Sequence, residues 1–348
     1  MNSPKILIVA TSRKTRGGIT SVVKAHEMGT QWNKYHCRWI ETHTDRNIGT
    51  KFWRFFVSLI QFTFLIPFYD LVHIHLSEPP SAIRKSFYFR IAKWWHKKII
   101  VHFHSFNPNT TINSKHKPLY KKMFSEADFV ITLSNQWKIW VEEALGIKNV
   151  IVLYNPCQLI PKNSLVKKSN VILFAGTLNQ RKGFIDLIYA FASIASKNTD
   201  WTLVFAGNGE VEKGLALAKD LKIEKQVIFK GWVSGKDKDE LFHSAKIFCL
   251  PSYEEGFPMA VLDAWAYSLP VITTPVGGLP DILNDGKNAL VFQPGDTEHL
   301  VNHLERLISD DELRSVISQE SLKLAQNVFN IENINQQLAD IYKEVLWQ

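Results

Sequence analysis

Short apolar runs rich in Ile and Val alternate with longer segments of helical periodicity along the 348 residues. Uninterrupted runs of this kind are typical of strands buried on both faces of a parallel sheet, with helices covering each face. The pattern predicts strands at residues 5–10, 71–75, 99–104, 129–133, 150–153, 171–175, 202–206, 226–230, 247–250, 271–273 and 289–292. The expected fold class is therefore α/β.

A polar stretch near residues 159–170 interrupts this alternation, which then restarts. The chain is also longer than a single hydrophobic core usually supports. We therefore expect two doubly wound domains, residues 1–165 and 166–329, facing a central cleft. Ligands of such sheets usually bind beyond the carboxyl ends of the strands.

One apolar segment, residues 55–68, contains 14 uncharged residues, fewer than the ~20 needed to cross a bilayer. We expect a buried crossover helix that precedes the strand at residue 71. Partial insertion into a membrane interface is the alternative, and a transmembrane span is the least favoured interpretation.

Charge is distributed unevenly along the chain. The net charge is +8, but residues 1–168 carry +16 and the remainder carries −8. Residues 84–98 interleave cations with aromatic side chains, as in a helix that rests among lipid headgroups. The alternative is a helix that packs its aromatics inward beneath a solvated basic face. No nucleic-acid module is recognisable, so we expect an anionic membrane surface or a phosphate-linked acceptor as partner.

The three cysteines, Cys37, Cys157 and Cys249, lack the spacing of metal ligands. Their number and scatter indicate a reducing compartment rather than a disulfide framework. Because the first strand follows Met1 almost at once, we expect no signal peptide. A cytoplasmic protein, peripheral on the inner face of the membrane, fits these features.

The most informative segment is Glu255-Gly256-Phe257-Pro258, which leads into helix-forming residues. Glycine and proline here predict a helix that begins at or just before Pro258. The free N–H groups at its start form a natural site for a diphosphate. Glu255 and Asp263 could then hold sugar and ribose hydroxyls, although an ordinary helix start with two surface acids has the same pattern.

Other predicted strands also end in turns that suit a ligand, each of which is equally compatible with plain turn chemistry. Glycine allows the backbone to approach a ligand, and the cations could neutralise a diphosphate. The candidates are Gly176, Arg181 and Lys182 after one strand, Gly207 and Asn208 after the next, and Trp232 and Val233 after a third.

In order and spacing, these elements resemble the donor-binding domain of retaining glycosyltransferases of family 4, which have the GT-B fold. The resemblance is strongest over residues 171–295. The Glu-x7-Glu element of the family reads Glu255-x7-Asp263, and its phosphate-binding lysine corresponds to Lys182. Thr177 replaces an arginine often found in that turn, so Arg181 would have to supply the charge.

The resemblance also implies roles for the first domain. Gly17 and Gly18 match the glycine loop that lies near donor phosphates and acceptor. His104 corresponds to a histidine beside the transferred sugar, while His75 is a weaker candidate. Since a lone histidine at a strand end is often structural, this role depends on the resemblance. Relatives also pack a C-terminal helix, here residues 330–348, onto the first domain.

The implied function is retaining transfer of a sugar from a UDP- or GDP-sugar to a glycan or lipid-linked acceptor in polysaccharide synthesis. Glu255, Lys182 and His104 would be the catalytic residues, and no cofactor or metal ion is expected. Asp237 and Asp239 match a metal-binding Asp-x-Asp pattern but read better as an acidic first helical turn. Two alternatives are a nucleotide-sugar epimerase on the same fold and a non-catalytic partner protein.

Overall fold

The computed structural model describes residues 3–45, 47–158, 160–161 and 166–347. The chain divides into two compact units. Unit 1 comprises Met1–Pro156, Glu255–Phe257 and Phe329–Gln348, and unit 2 comprises Cys157–Glu254 and Pro258–Val328. The division lies at Pro156 rather than at the expected residue 165. Residues 162–165 of the expected linker lie outside the described residues.

Unit 1 is built on a parallel six-stranded sheet. Its strands are β1 (Ile6–Ala10), β2 (Arg38–Glu41), β3 (Leu71–Leu76), β4 (Lys98–Phe103), β5 (Phe129–Thr132) and β6 (Val150–Val152). The spatial order is β2-β1-β3-β4-β5-β6. Strand β2 is absent from the sequence prediction because only Trp39 and Ile40 form its buried apolar run.

Helices cover both faces of this sheet. They are α1 (Gly18–Glu27), α2 (Thr30–Lys34), α3 (Ile48–Leu65), α4 (Pro79–Trp94), α5 (Lys117–Ser125), α6 (Asn135–Leu145) and α13 (Ile331–Trp347). Alternate strand residues enter two separate cores, as the pleat requires. One core holds side chains of α3 to α6, and the other holds those of α13 with α1.

Unit 2 repeats the architecture. Its strands are β7 (Val171–Ala175), β8 (Thr202–Ala206), β9 (Val227–Gly231), β10 (Ile247–Leu250), β11 (Val271–Thr273) and β12 (Leu290–Val291). Its helices are α7 (Phe184–Ala195), α8 (Val211–Asp220), α9 (Lys236–Ser244), α10 (Met259–Ala266), α11 (Thr297–Ser309) and α12 (Asp311–Asn327).

The strands of unit 2 are parallel and lie in the order β12-β11-β10-β7-β8-β9. The order of connections reverses where β7 meets β10. In open sheets of this kind, ligands bind at the carboxyl ends of the strands beside such a reversal. The loops that follow β7 and β10 therefore occupy the position where a binding site is expected.

The predicted crossover helix is present as α3, but the expectation that it is buried is wrong. The helix begins at Ile48 and continues as a 3-10 turn to Phe68, and this is the described segment that is long and apolar enough to cross a membrane. One face, including Ser58 and Phe62, is buried. The opposite face is exposed to solvent and carries Phe52, Trp53, Phe56, Ile60, Phe64 and Phe68.

The basic aromatic segment at residues 84–98 is not one helix, because α4 ends at Trp94 and Lys98 begins β4. Some of its aromatic side chains pack inward and others are exposed, so neither the lipid-facing helix nor the inward-packed helix describes the whole segment. Tyr88 is buried, whereas Trp94 is 73% exposed. Lys85 is completely buried, so the cations of this segment do not form one solvated face.

Candidate active site

The turn after β7 positions Lys182. The side chain of Asn179 accepts a hydrogen bond from the Lys182 N–H at 3.1 Å. The turn ends at Gly183, whose φ is 66°. A Cβ at Gly183 would lie 2.0 Å from the carbonyl oxygen of Pro251, so only glycine allows the loops after β7 and β10 to meet this closely. The Lys182 side chain lies over Gly176, 3.8 Å from the position a Cβ would take there.

Arg181 joins the same two loops. Its guanidinium Nη1 donates to the carbonyl oxygen of Glu254 at 2.5 Å. In return, the N–H of Tyr253 donates to the Arg181 carbonyl at 2.7 Å. The basic turn after β7 is thus bonded to the chain segment that leads directly into Glu255.

Glu255 is only 5% exposed. The residues after it are held by main-chain contacts within unit 1. A Cβ at Gly256 would lie 2.6 Å from the Ser105 carbonyl oxygen, which explains why glycine is needed there. The Asn155 side-chain amide donates to the Phe257 carbonyl at 2.9 Å. The backbone that carries Glu255 is therefore fixed on its carboxyl side.

Helix α10 begins at Met259, with Pro258 as the residue before its first turn. The predicted start is therefore accurate to one residue. The N–H of Val261 bonds back to the Pro258 carbonyl at 3.1 Å, closing the first turn. The N–H groups ahead of Val261 are those that have no partner within a helix, and they carry its positive dipole end.

Asp263 forms an ion pair that the sequence did not predict. Its carboxylate lies 2.8 Å from the ammonium of Lys238, and both side chains are about one-third exposed. Burial raises the pKa of Asp263, and the charge of Lys238 opposes that rise. Asp239 in turn accepts a hydrogen bond from the Tyr267 hydroxyl. Within the Asp-x-Asp segment, Lys238 therefore contacts α10 at Asp263, and Asp239 contacts Tyr267, the residue that follows this helix.

The loops after β8 and β9 pack beside the turn after β7. A Cβ at Gly207 would lie 1.8 Å from the carbonyl oxygen of Gly176, so this glycine is required by packing. The Asn208 side chain accepts from the N–H of Trp232 at 3.1 Å. Trp232 is 44% exposed and Val233 is half-buried. Asn208 thus fixes a loop that presents an indole ring to solvent.

In unit 1, the glycine loop lies at the start of α1. Gly17 precedes the helix and Gly18 is its first residue. Apart from the two neighbours of Gly17 in the chain, no described residue has an atom within 4 Å of the position a Cβ would take there. The space over this helix start is therefore open on the Gly17 side.

Five histidines form a buried cluster in unit 1. His73 and His75 alternate on β3, His102 lies opposite His75 on β4, and His104 follows directly. His26 of α1 lies over them, with its ring centroid 6.3 Å from that of His102. Burial lowers the pKa of each of the five imidazoles, so all are neutral at pH 7.

The histidine cluster continues to the carboxyl edge of the sheet. His104 Nε2 lies 2.9 Å from His75 Nδ1, and the backbone N–H of His104 donates to the Leu76 carbonyl. His104 is 9% exposed, so it is the member nearest the surface. The other predicted candidate, His75, is enclosed, and its contact with His104 is a hydrogen bond within the cluster. Two alternating His-x-His pairs were the sequence pattern that could have predicted this cluster.

Three of these residues, His73, His75 and His102, have ring nitrogens within 4.8 Å of one another. A tetrahedral zinc site needs three or four nitrogens about 2 Å from one point, with their lone pairs converging. The rings of His73 and His102 are instead stacked with an interplanar angle of 4°. His73 Nδ1 is also bonded to the Tyr342 hydroxyl at 2.8 Å. In this arrangement the cluster packs as neutral imidazoles.

Comparison with known proteins identifies the second half of the chain. Residues 158–324 match the family model described as glycosyl transferases group 1. This segment is a domain of that family. It contains every predicted donor-site residue from Gly176 to Asp263. Gly17, Gly18 and His104 lie outside the matched segment.

Relatives and solved structures agree with this assignment. An uncharacterized glycosyltransferase of Haemophilus influenzae is 34% identical over 210 residues, 60% of this chain and 59% of that protein. The lipopolysaccharide 1,6-galactosyltransferase of Salmonella typhimurium is 29% identical, over 62% of this chain and 61% of that protein. The matches thus span about three-fifths of these relatives. The structure of Anabaena HepE with UDP-glucose superposes with a TM-score of 0.77 at 19% identity, covering 98% of this chain and 99% of that chain. The predicted GT-B fold is confirmed.

Proposed function

We propose that this protein moves a sugar from a UDP- or GDP-sugar to a glycan or lipid-linked acceptor in cell-surface glycan synthesis, with retained anomeric configuration. The observation that carries the proposal is the pair of hydrogen bonds by which Arg181 joins the loops after β7 and β10. These bonds hold the basic turn next to the segment that leads into Glu255. HepE, crystallised with UDP-glucose, and the Salmonella galactosyltransferase lend further support.

The leaving group of such a reaction is a nucleoside diphosphate, which gains negative charge as the glycosidic bond breaks. Lys182 and Arg181 supply positive charge, and the first N–H groups of α10 supply hydrogen-bond donors. Fixed donors of this kind typically contribute about 10²–10³ in rate each. With two cations available at the turn, the proposed reaction needs no metal ion or cofactor.

The remaining predicted residues would hold the rest of the donor. Glu255 would accept hydrogen bonds from sugar hydroxyls, and Asp263 from the ribose once it separates from Lys238. The exposed ring of Trp232 offers a surface for the base, beside the main chain of Val233. Gly207 and Asn208 shape this region through packing. Phe257 and Pro258 directly precede α10, so they would lie beside the phosphates at its start.

For retention, we propose front-side attack, in which the leaving phosphate accepts the proton of the acceptor hydroxyl. The sequence offers no clear nucleophile or paired general acid and base, which disfavours the two-carboxylate mechanism of retaining glycosidases. His104, neutral and near the sheet edge, would contact the transferred sugar. Gly17 and Gly18 would allow phosphate or acceptor to approach the start of α1. Positioning of the two substrates supplies much of the remaining acceleration.

We also propose that unit 1 docks on the cytoplasmic face of an anionic bilayer through α3. The buried face of this helix packs into the core, and Ser58 bonds the Tyr88 hydroxyl at 2.6 Å. A helix held this way lies in the membrane plane rather than crossing it. Its exposed aromatic face, the exposed Trp94 of α4 and the positive charge of the first half of the chain suit lipid headgroups and acidic lipids.

A transfer assay tests the function. The purified protein would be given UDP-glucose, UDP-galactose, UDP-GlcNAc or GDP-mannose with a lipid-linked glycan extract, and nucleotide release would be measured with and without EDTA. We expect release from one donor, insensitive to EDTA and lost in Lys182→Met. The matched control is Lys197→Met, at an exposed lysine of unit 2. Equal activity of wild type and Lys182→Met would contradict the proposed site, and nucleotide binding without turnover would favour the non-catalytic alternative.

A further inference from the structure

Two adjacent basic residues of α4 differ in exposure, since Arg84 is partly buried and Lys85 is fully buried. Lys85 is 0% exposed, and its ammonium has one neutral partner, the Ser81 hydroxyl at 3.1 Å. Arg84 donates from Nη1 to the Pro80 carbonyl at 3.2 Å. Its Nε is buried without a hydrogen-bond partner among the described residues. An ammonium has three donors and a guanidinium has five, so most of this capacity is unused.

No carboxylate of the described residues forms a salt bridge with Arg84 or Lys85. Glu41, the last residue of β2, already forms ion pairs with Arg13 and Arg54. Glu78, at the start of α4, accepts hydrogen bonds from the Ser105 hydroxyl and the Phe106 N–H. Burial lowers the pKa of Lys85 well below its usual value, and an anion bound beside it would favour the charged form.

Other positive groups surround the same place. Burial, followed by the charges of Arg84, Lys51 and Lys85, lowers the pKa of His43 to about 4, whereas the charge of Asp45 acts in the opposite direction. Burial lowers the pKa of His104, and the charge of Lys85 lowers it further. His43 follows β2, α4 follows β3 and His104 follows β4, so these groups gather at the carboxyl edge of the sheet. This is the edge where ligands of doubly wound sheets bind.

We propose that Arg84 and Lys85 form a binding site for a phosphate or diphosphate group of the acceptor. The inference rests on the proposed function and adds the chemical class of the acceptor to it. A guanidinium provides paired donors to phosphate oxygens, and an adjacent ammonium adds a compact charge. An acceptor of this class would be a glycan carried on a phosphate or diphosphate, and its anion would supply a counter-charge to the Arg84 guanidinium and the Lys85 ammonium.

Calorimetric titration with inorganic pyrophosphate tests the site, with the donor site first filled by the nucleoside diphosphate that the protein binds. We expect pyrophosphate to bind wild type and to bind Lys85→Met and Arg84→Gln at least tenfold more weakly. Lys93→Met, at an exposed lysine of the same helix, is the matched control and should bind as wild type. Absence of binding to wild type at millimolar pyrophosphate, or wild-type affinity in both variants, would overturn the inference.

Two further measurements separate the sources of the anion. If the nucleotide excludes pyrophosphate, the two cations serve the donor, and the acceptor assignment fails. If Lys85→Met also loses binding to phosphatidylglycerol vesicles, the anion is a lipid headgroup, and the assignment fails again. Unchanged vesicle binding in this variant supports the acceptor site. Nucleotide binding itself reports separately on the proposed function.

Thermal unfolding of Lys85→Met distinguishes a ligand site from a structural role. Methionine keeps the length of the side chain and removes the buried amino group, which has one hydroxyl partner among the described residues, so we expect the unfolding temperature to rise while pyrophosphate binding falls. A lower unfolding temperature together with unaltered pyrophosphate affinity would show that Lys85 serves the fold alone.

Discussion

The two units share one sheet architecture but place their ionisable side chains differently. In unit 2, Lys182 and Asp263 lie in or near the loops beyond the strand ends and keep partial access to solvent. In unit 1, His73 and His102 project from the middle of strands into the core, and Lys85 is enclosed by α4 and its neighbours. Unit 2 thus keeps its charges at the sheet edge, whereas unit 1 holds ionisable groups inside.

The same sheet architecture thus carries ionisable groups in two ways, on loops at the sheet edge in unit 2 and within the core in unit 1. The loops after β7 and β10 are joined by a main-chain bond from the Tyr253 N–H to the Arg181 carbonyl, so we expect that most of their side chains can be replaced with little effect on the fold. The histidines of unit 1 are part of the core itself. Their replacement or protonation should therefore change stability as well as chemistry.

Glu255→Gln should have the largest effect and should leave folding intact. If Glu255 holds the sugar hydroxyls, the loss of its charge should lower kcat/KM by about 10²–10³, the usual cost of removing one fixed transition-state contact. The affinity for the free nucleotide should change little. Steady-state kinetics and calorimetry measure the two quantities. Glu298→Gln, at an exposed acid of unit 2, is the control, and a matching loss of activity in both variants would refute the role of Glu255.

Acidification should destabilise unit 1 more than unit 2. The folded pKa values of the five clustered histidines lie below the ordinary 6.5, with His26 at about 4. Stability from these groups is therefore fully present above pH 6.5 and is lost as the pH falls and the unfolded chain binds protons. Between pH 6.5 and 5.5 each histidine should cost about 1 kcal/mol.

Hydrogen exchange followed by mass spectrometry measures this prediction in each unit. After correction for the intrinsic pH dependence of exchange, peptides that contain β3 and β4 should lose protection between pH 7 and 5.5. Peptides that contain β7 and β8 provide the internal control. Equal loss of protection in both units would show that the histidine cluster does not determine acid stability.

Replacement of the exposed aromatics on α3 should weaken membrane binding without loss of fold. Phe52→Ser, Phe56→Ser and Phe64→Ser combined should lower binding to phosphatidylglycerol vesicles by roughly 10- to 100-fold, because apolar area no longer enters the interface. Vesicle sedimentation measures the change. Tyr189→Ser removes an exposed aromatic of unit 2 and should have no effect. Unaltered binding of the triple variant would exclude α3 as the docking surface.

Asp263→Asn should have the smallest effect. Asp263 forms an ion pair with Lys238, and partly exposed ion pairs contribute about 0–1 kcal/mol to stability. We expect a loss of nucleotide affinity of a fewfold, measured by calorimetry. Lys238→Met should instead raise the nucleotide affinity, because it frees the Asp263 carboxylate to bind the ribose. A loss of affinity in Lys238→Met would indicate that Lys238 itself contacts the donor.

Much of the fold was predictable from the sequence because parallel strands are long apolar runs. Strands such as Val171–Ala175 were predicted to the residue. Strand β2 was missed because its buried run is too short to be distinguished from loop. The turns after β7 and β10 were predictable as well, since glycine, proline and charged residues lie close together in sequence around Lys182 and Glu255, while their role in donor binding stays a prediction.

Burial in unit 1 could not be predicted in the same way. Whether a face of α3 is buried or exposed depends on elements distant in sequence. The apolar run at residues 55–68 is therefore compatible with a buried helix and with an exposed one. The enclosure of Lys85 likewise depends on how α4 packs. The pairing of Asp263 with Lys238 joins residues of two different helices, and nothing in the local sequence of either helix indicates it.

The most direct test of the central claim is calorimetric titration of the purified protein with UDP, GDP, ADP and CDP, with and without EDTA. The account predicts that one nucleotide binds tightly, that EDTA leaves its affinity unchanged, and that Lys182→Met weakens it at least tenfold. Absence of binding by all four, or wild-type affinity in Lys182→Met, would contradict the assignment of the donor site to the loops after β7 and β10.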